Sequence, residues 1–176
     1  MQFIIGIVPP LDYLSRIVEF QRRWESNRLP DLIEPHITVK SQAGLGRSME
    51  WEGPVKEVCG RHRSFMVTLS RPGIFAKSVG YISVKSEGLV ELHRKLVRAV
   101  SPDPESSVKY FELDSYMPHL TLGGTKFGLT EEDVINMVER AGKELAPFPT
   151  FRAHFLRVYG TTDGGNYQRL FDMKLA

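Results

Sequence analysis

Apolar and polar positions alternate along this chain with two clear periods, and each period marks an element. Phe3 to Val8 is a short apolar run ended by Pro9-Pro10, the pattern of a buried strand. From Leu11 to Arg28, Leu14, Ile17, Val18 and Trp24 stand among charges, which predicts a helix with one apolar face. After Pro30, the stretch Pro35-His36-Ile37-Thr38-Val39-Lys40 alternates as a half-buried strand does. Gly44, Gly46 and Ser48 mark a loop, and Pro54 to Cys59 predicts a short helix closed by Gly60. Phe65 to Ser70 and Tyr81 to Lys85 are strand candidates on either side of a loop with Pro72, Gly73 and Gly80. Leu89, Leu92, Leu96 and Val100 share one face, so Glu87 to Val100 reads as a helix. Ser101-Pro102-Asp103-Pro104 ends it and reads as the connection between two halves.

The second half follows a similar order. Pro118 to Gly123 alternates again, glycines 123, 124 and 128 form a loop, and Thr130 with Asp133 predicts a capping box. Val134, Val138, Ala141 and Leu145 supply a helical stripe behind it. Phe151 to Tyr159 and Tyr167 to Leu175 then alternate around Thr161-Thr162-Asp163-Gly164-Gly165-Asn166, a hairpin signal. Helix, His-containing strand, helix and two strands thus occur twice, the histidines 83 positions apart at 36 and 119. Two similar lobes are the expectation.

Length and composition narrow the class. A chain of 176 residues, 41% hydrophobic and 25% charged, can bury a core as one domain without metals or disulfides. No apolar run approaches the roughly 18 residues of a membrane span. The first residues lack a basic start, apolar middle and cleavage pattern, so the expectation is a cytoplasmic protein. With 23 basic and 21 acidic residues the net charge is +2, which does not favour wrapping by long nucleic acid. The lone Cys59 reads as a small buried hydrophobe.

Pro35-His36-Ile37-Thr38 and Pro118-His119-Leu120-Thr121 carry the chemistry. A Pro-His-x-Thr tetrapeptide arises by chance at about 10⁻⁴ per position, so two copies in one short chain demand a reason. The strand period puts His36 with Thr38, and His119 with Thr121, on one face and sends Ile37, Val39, Leu120 and Leu122 to the core. One imidazole can accept a proton while a second donates one, and two hydroxyls can hold the oxygens of an anion between them. A phosphodiester needs both proton transfers and the clamp, and no metal. On the same parity Lys40 falls beside His36 and Thr38 and would add positive charge at the phosphate. Tyr81, alternating with Ile82 and Val84, would face the groove and stack on a base.

The paired His-x-Thr motifs in a chain of this length resemble the 2H phosphoesterase superfamily, which includes bacterial 2'-5' RNA ligase-like proteins. Pro35 to Lys40, Pro118 to Gly124 and the order of elements around them look like its small YjcG-like bacterial branch. The resemblance implies an α+β, two-lobed, pseudo-symmetric fold over residues 1–176, with antiparallel sheets lining a central groove and helices outside. It carries catalytic roles to His36 and His119 and phosphate contacts to Thr38 and Thr121. It also implies a 2',3'-cyclic phosphate or a 2'-5'-linked RNA or nucleotide as substrate, with RNA ligation as the reverse reaction.

Other chemistries fit less well. His62, His93 and His154 read as structural histidines. Neither motif has a His-x-x-x-His or Cys-x-x-Cys neighbour, and the Gly-Gly pairs lack the lysine of a phosphate-binding loop, so no metal or nucleotide cofactor is expected. An RNA end or small nucleotide is the expected partner, with no obligatory protein partner. Two other classes stay open: a non-catalytic RNA-end or nucleotide-binding module, and an interaction domain with vestigial histidines.

Overall fold

The N-terminal apolar run becomes a central strand. The computed structural model describes residues 1–176 and contains eight strands: β1 (Phe3–Ile7), β2 (Ile37–Lys40), β3 (Phe65–Phe75), β4 (Val79–Lys85), β5 (His119–Gly124), β6 (Thr150–Ala153), β7 (Phe155–Thr161) and β8 (Tyr167–Lys174). They form one antiparallel sheet in the order β6-β3-β4-β5-β2-β1-β7-β8. Six helices accompany it: α1 (Leu11–Gln21), α2 (Leu29–Leu32), α3 (Glu52–Arg61), α4 (Glu87–Val100), α5 (Pro104–Lys109) and α6 (Glu131–Glu144). The mixed α+β, two-halved architecture expected from the sequence is present. None of the helices is long and apolar enough to cross a membrane.

Four strands make up each half, and the halves meet where β2 pairs with β5 through Ile37 opposite Leu120. Across that seam Ile7, Ile37, Leu120 and Ile82 stand in register as one buried aliphatic row. Each such side chain contributes roughly 1.5–3 kcal/mol by leaving water, so the row fixes which face is core. Helix α6 packs on β3, β4 and β5, while α3 and α4 pack on β8 and β2. Ser86 caps α4 by accepting from the Leu89 N–H, and Thr130 with Asp133 forms the expected capping box at α6.

Three expectations are corrected. The first helix stops at Gln21 instead of Arg28, because Gln21 and Asn27 turn inward as buried amides that donate to β5 carbonyls. Phe151 to Tyr159 is two strands, broken at the exposed His154: β6 pairs with β3, and β7 with β1. The repeat along the chain is also exchanged in space. The hairpin β3–β4 that follows the first His strand sits beside β5, and the hairpin β7–β8 that follows the second sits beside β1.

Candidate active site

Both motif histidines are braced in the same way. The Nδ1 of His36 lies 2.9 Å from the carbonyl oxygen of Glu34, and that of His119 lies 2.8 Å from the carbonyl oxygen of Met117. In each case the carbonyl belongs to the residue two places upstream, across the motif proline. A carbonyl can only accept, so Nδ1 carries a hydrogen and the neutral ring presents a lone pair at Nε2. The Nε2 of His36 lies 3.1 Å from the Thr38 hydroxyl of its own motif. His36 ends the loop before β2, whereas His119 opens β5.

Space for His36 comes from the next strand. A Cβ on Gly6 would stand 3.0 Å from His36 Cδ2 and 3.1 Å from the Ile37 carbonyl oxygen, so glycine permits the imidazole to lie against β1. Beyond β1, Arg157 is in register with Gly6, which is in register with Thr38. Arg157 donates from Nε and Nη2 to Asp172 (2.9 and 3.1 Å) and from Nη1 to Glu34 (2.8 Å). The Tyr159 hydroxyl donates to the same Glu34 oxygen at 2.8 Å, and its ring lies 5.3 Å from that of His36.

His119 has a different flank. Phe75 and Tyr81 stack at 4.0 Å, and both rings stand edge-on to the imidazole, at 5.2 and 5.7 Å. Tyr81 is in register with Thr121 on one side and with Gly73 on the other, where the tyrosine ring occupies the space a Cβ would need. The structure thus brings Tyr81 to the His119 motif. It also adds Phe75, Tyr159 and Arg157, which carry no motif in the sequence; Gly6 within an apolar run was the one local hint of a close approach.

Lys40 is placed elsewhere. Opposite β1, Ile5 pairs with Lys40 while Gly6 pairs with Thr38, so two residues of β2 face one of β1. This bulge breaks the period-two alternation and turns Lys40 to the buried side with Val39. Its ammonium is fully buried, bonded to the Glu112 carboxylate and the carbonyls of Ala43 and Ser41. The sequence parity that put Lys40 beside the phosphate therefore fails at this bulge.

Past the seam, β2 and β5 separate, and side chains take over their free carbonyls. Tyr116 donates its hydroxyl to the Thr38 carbonyl at 2.7 Å, and His93 Nδ1 lies 2.7 Å from that of Val39. Gln21 reaches the carbonyls of Thr121 and Leu122 (3.3 and 3.1 Å), and Asn27 reaches Leu122 (3.1 Å). Where β2 and β5 part, the carbonyls of both motif threonines are thereby satisfied by side chains in place of each other's strand. His93 is a structural histidine: it is buried, accepts the Leu113 N–H at Nε2, and stacks on Tyr116 at 3.8 Å.

Burial lowers the pKa of both His36 and His119 below the ordinary imidazole range. For His36 the Glu34 carbonyl and carboxylate push back, while His119 opposes them. For His119 the Met117 carbonyl pushes back, and Lys126 adds to the lowering. Burial raises the Cys59 thiol to about 11, which leaves it inert. No group of three or more His, Cys, Asp or Glu side chains is arranged to hold a metal ion.

Known proteins share this fold. A family model described as the 2'-5' RNA ligase superfamily matches residues 9–164. LigT of E. coli complexed with 3'-AMP is 19% identical with a TM-score of 0.64, covering 99% of this chain and 98% of that one. TT0787 of Thermus thermophilus is 16% identical with a TM-score of 0.66 and coverages of 99% and 98%. A structure described as a phosphoesterase is 20% identical with a TM-score of 0.63 and the same coverages. No curated protein sequence matches the chain.

Proposed function

The chain belongs to the 2'-5' RNA ligase superfamily, whose model spans residues 9–164, and we propose that it is a metal-independent phosphodiesterase acting on a 2',3'-cyclic phosphate or a 2'-5'-linked nucleotide. The observation that carries this reading is the repeated brace: a carbonyl two residues upstream holds Nδ1 of each imidazole and leaves Nε2 as the nitrogen for proton transfer, at His36 in contact with the Thr38 hydroxyl. In hydrolysis, one neutral histidine takes a proton from water as its oxygen bonds to phosphorus. The other, protonated, delivers its proton to the departing ribose oxygen as the P–O bond breaks. The hydroxyls of Thr38 and Thr121 donate to the non-bridging oxygens, where negative charge builds up. In the free site Thr38 is partnered by His36, and a phosphate oxygen takes its place when substrate binds. With a ribose hydroxyl in place of water as the nucleophile on a 2',3'-cyclic phosphate, the same two proton transfers form the new P–O bond as a ring P–O bond breaks and its ribose oxygen takes the proton, which joins ends in the ligase direction. Tyr81 stacks with the nucleobase on the His119 side, supported by Phe75. A cytoplasmic location and an RNA end as partner complete the proposal.

The test is turnover of 2',3'-cyclic nucleotides and a 2'-5'-linked dinucleotide in EDTA, with His36→Ala and His119→Ala alongside wild type. Each variant should lose about 10²-fold to 10⁴-fold in kcat while still binding nucleotide. Retained turnover in either variant, or loss in EDTA that a divalent cation restores, would overturn the proposal. Nucleotide binding without turnover by the wild type would replace it with a binding module.

A further inference from the structure

The two histidines stand on flanks of different charge. On the His36 side the guanidiniums of β7 and β8 are already paired: Arg157 with Glu34 and Asp172, and Arg169 with Asp172. On the His119 side, strands β3, β4, β5 and β6 hold Arg71, Lys85 and Arg152 and neither Asp nor Glu. Arg71 and Lys85 are exposed and form no ion pair. Strand register places both on the open face of the sheet. Ser83 of β4 lies opposite His119 and so shares the face of the imidazole, and Lys85 follows two residues later on that face. On β3, Leu69 pairs with Val84 and Pro72 with Ile82, so Ser70 and Arg71 together oppose Ser83. Pro72 has no N–H to give to β4, and a strand inside a sheet takes a proline at such a bulge. Strict alternation from the buried Leu69 would send Arg71 to the core. Counted back from Gly73, whose Cβ position is filled by the Tyr81 ring, Arg71 instead falls on the Tyr81 face. Two strand spacings, about 10 Å, separate its backbone from that of His119.

We propose that Arg71 is a second phosphate subsite. With a terminal phosphate between the histidines and its base at Tyr81, Arg71 holds the phosphate on the 5' oxygen of the same nucleoside, and Lys85 holds the phosphate before it. The proposal rests on the phosphodiesterase reading above and deepens it: the substrate that fits is the end of an RNA strand, whose phosphates recur along the open face, and the strand leaves the site across β4 and β3. A guanidinium without a carboxylate partner can turn its fork of donors to a phosphate without first giving up an ion pair. On the His36 side an anion would have to displace Glu34 or Asp172 from Arg157. Tyr81 and Phe75 beside a row of unpaired cations combine the two parts of a single-strand site, a surface for a base and a charged track for the backbone.

Equilibrium titration with 3'-AMP, adenosine 3',5'-bisphosphate, ApA bearing a 3'-terminal phosphate and its trinucleotide homologue tests this without turnover. The bisphosphate and the dinucleotide should each bind about tenfold more tightly than 3'-AMP, and the trinucleotide more tightly again. Arg71→Gln should erase the first gain and Lys85→Gln the second. Arg98→Gln, which removes the same charge from the exposed face of α4, should erase neither. In Arg71→Gln the slope of log K against log salt for the dinucleotide should become shallower by about 0.7, the value of one phosphate contact to a single strand. A packing role for Arg71 would leave that slope in place and count against the subsite. So would a bisphosphate that binds no more tightly than 3'-AMP, a gain that survives in Arg71→Gln, or one lost equally in Arg98→Gln. A trinucleotide that binds no more tightly than the dinucleotide would overturn the strand and leave a nucleoside bisphosphate as the ligand. Gains in binding with no turnover of any cyclic phosphate would remove the phosphodiesterase reading and keep the subsite, so the two fail on different measurements.

Discussion

Gly6 has no functional group, yet the placing of the His36 ring depends on it. With 3.0 Å between its missing Cβ and His36 Cδ2, Gly6→Ala makes the imidazole give by a few tenths of an ångström from the position its carbonyl brace defines. Misplacement of a reacting group by even an ångström can cost about 100-fold in rate. Gly6→Ala should therefore lose up to about 100-fold in activity while its far-ultraviolet circular dichroism stays that of the wild type; full activity would show that the ring has room to give. In the proposed mechanism the hydroxyls act on the charge that builds up at phosphate, so Thr38→Val and Thr121→Val should each reduce kcat by about 10²-fold, measured on a 2',3'-cyclic nucleotide. Because burial lowers both histidine pKa values, kcat/KM should be bell-shaped with its maximum below the ordinary imidazole value of about 6.5. A bound phosphate anion favours both imidazoliums, so the kcat profile should lie at higher pH than that of kcat/KM.

At the scale of elements, the seam is the sensitive point. Ile37 and Leu120 are the one register pair joining β2 to β5, and both are fully buried. Leu120→Ala should cost roughly 2–5 kcal/mol in chemical denaturation and impair kcat in the remaining folded protein, since the spacing of the two motifs hangs on this contact. The elements themselves were largely legible. Leu89, Leu92, Leu96 and Val100 predicted α4 with both ends correct, and Thr130 with Asp133 marked the start of α6. Signals of this kind are local, set by a helical period and a cap. Lys40 was misread because a bulge depends on the partner strand: nothing between Pro35 and Lys40 reveals that Gly6 and Ile5 will meet β2 out of step. Arg157 and Tyr159 were invisible for the same reason, being more than 120 residues from Glu34, to which they bond. The end of α1 was missed because Gln21 and Asn27 look like surface residues until the free carbonyls of β5 are seen.

Over the whole molecule, burial of histidine links stability to pH. His93, 1% exposed, is held neutral, with its pKa lowered by burial and its Nε2 occupied by the Leu113 N–H. The unfolded chain binds a proton near pH 6.5, which the folded site resists, so this contribution is present above that pH and lost as the pH falls below it. Melting temperatures measured from pH 7.5 down to 5.5 should decline, and His93→Gln should flatten the decline. The comparison separates His93 from Glu112, whose carboxyl is raised by burial and so pulls the opposite way.

The exchanged hairpins have a bearing on how the chain is made. Strand β1 is synthesised well before its partner β7, which begins at Phe155, and Ile5 must wait for Val158. The half around β5 lacks its edge strand until β6 is made, and the half around β2 lacks β7 and β8 until after that. Contacts this distant in sequence slow folding, because the loop between them must be ordered first. The two fragments made by cutting between Pro102 and Asp103 should each be unfolded alone and should regain turnover only when mixed, each supplying the hairpin that the other's histidine strand lacks.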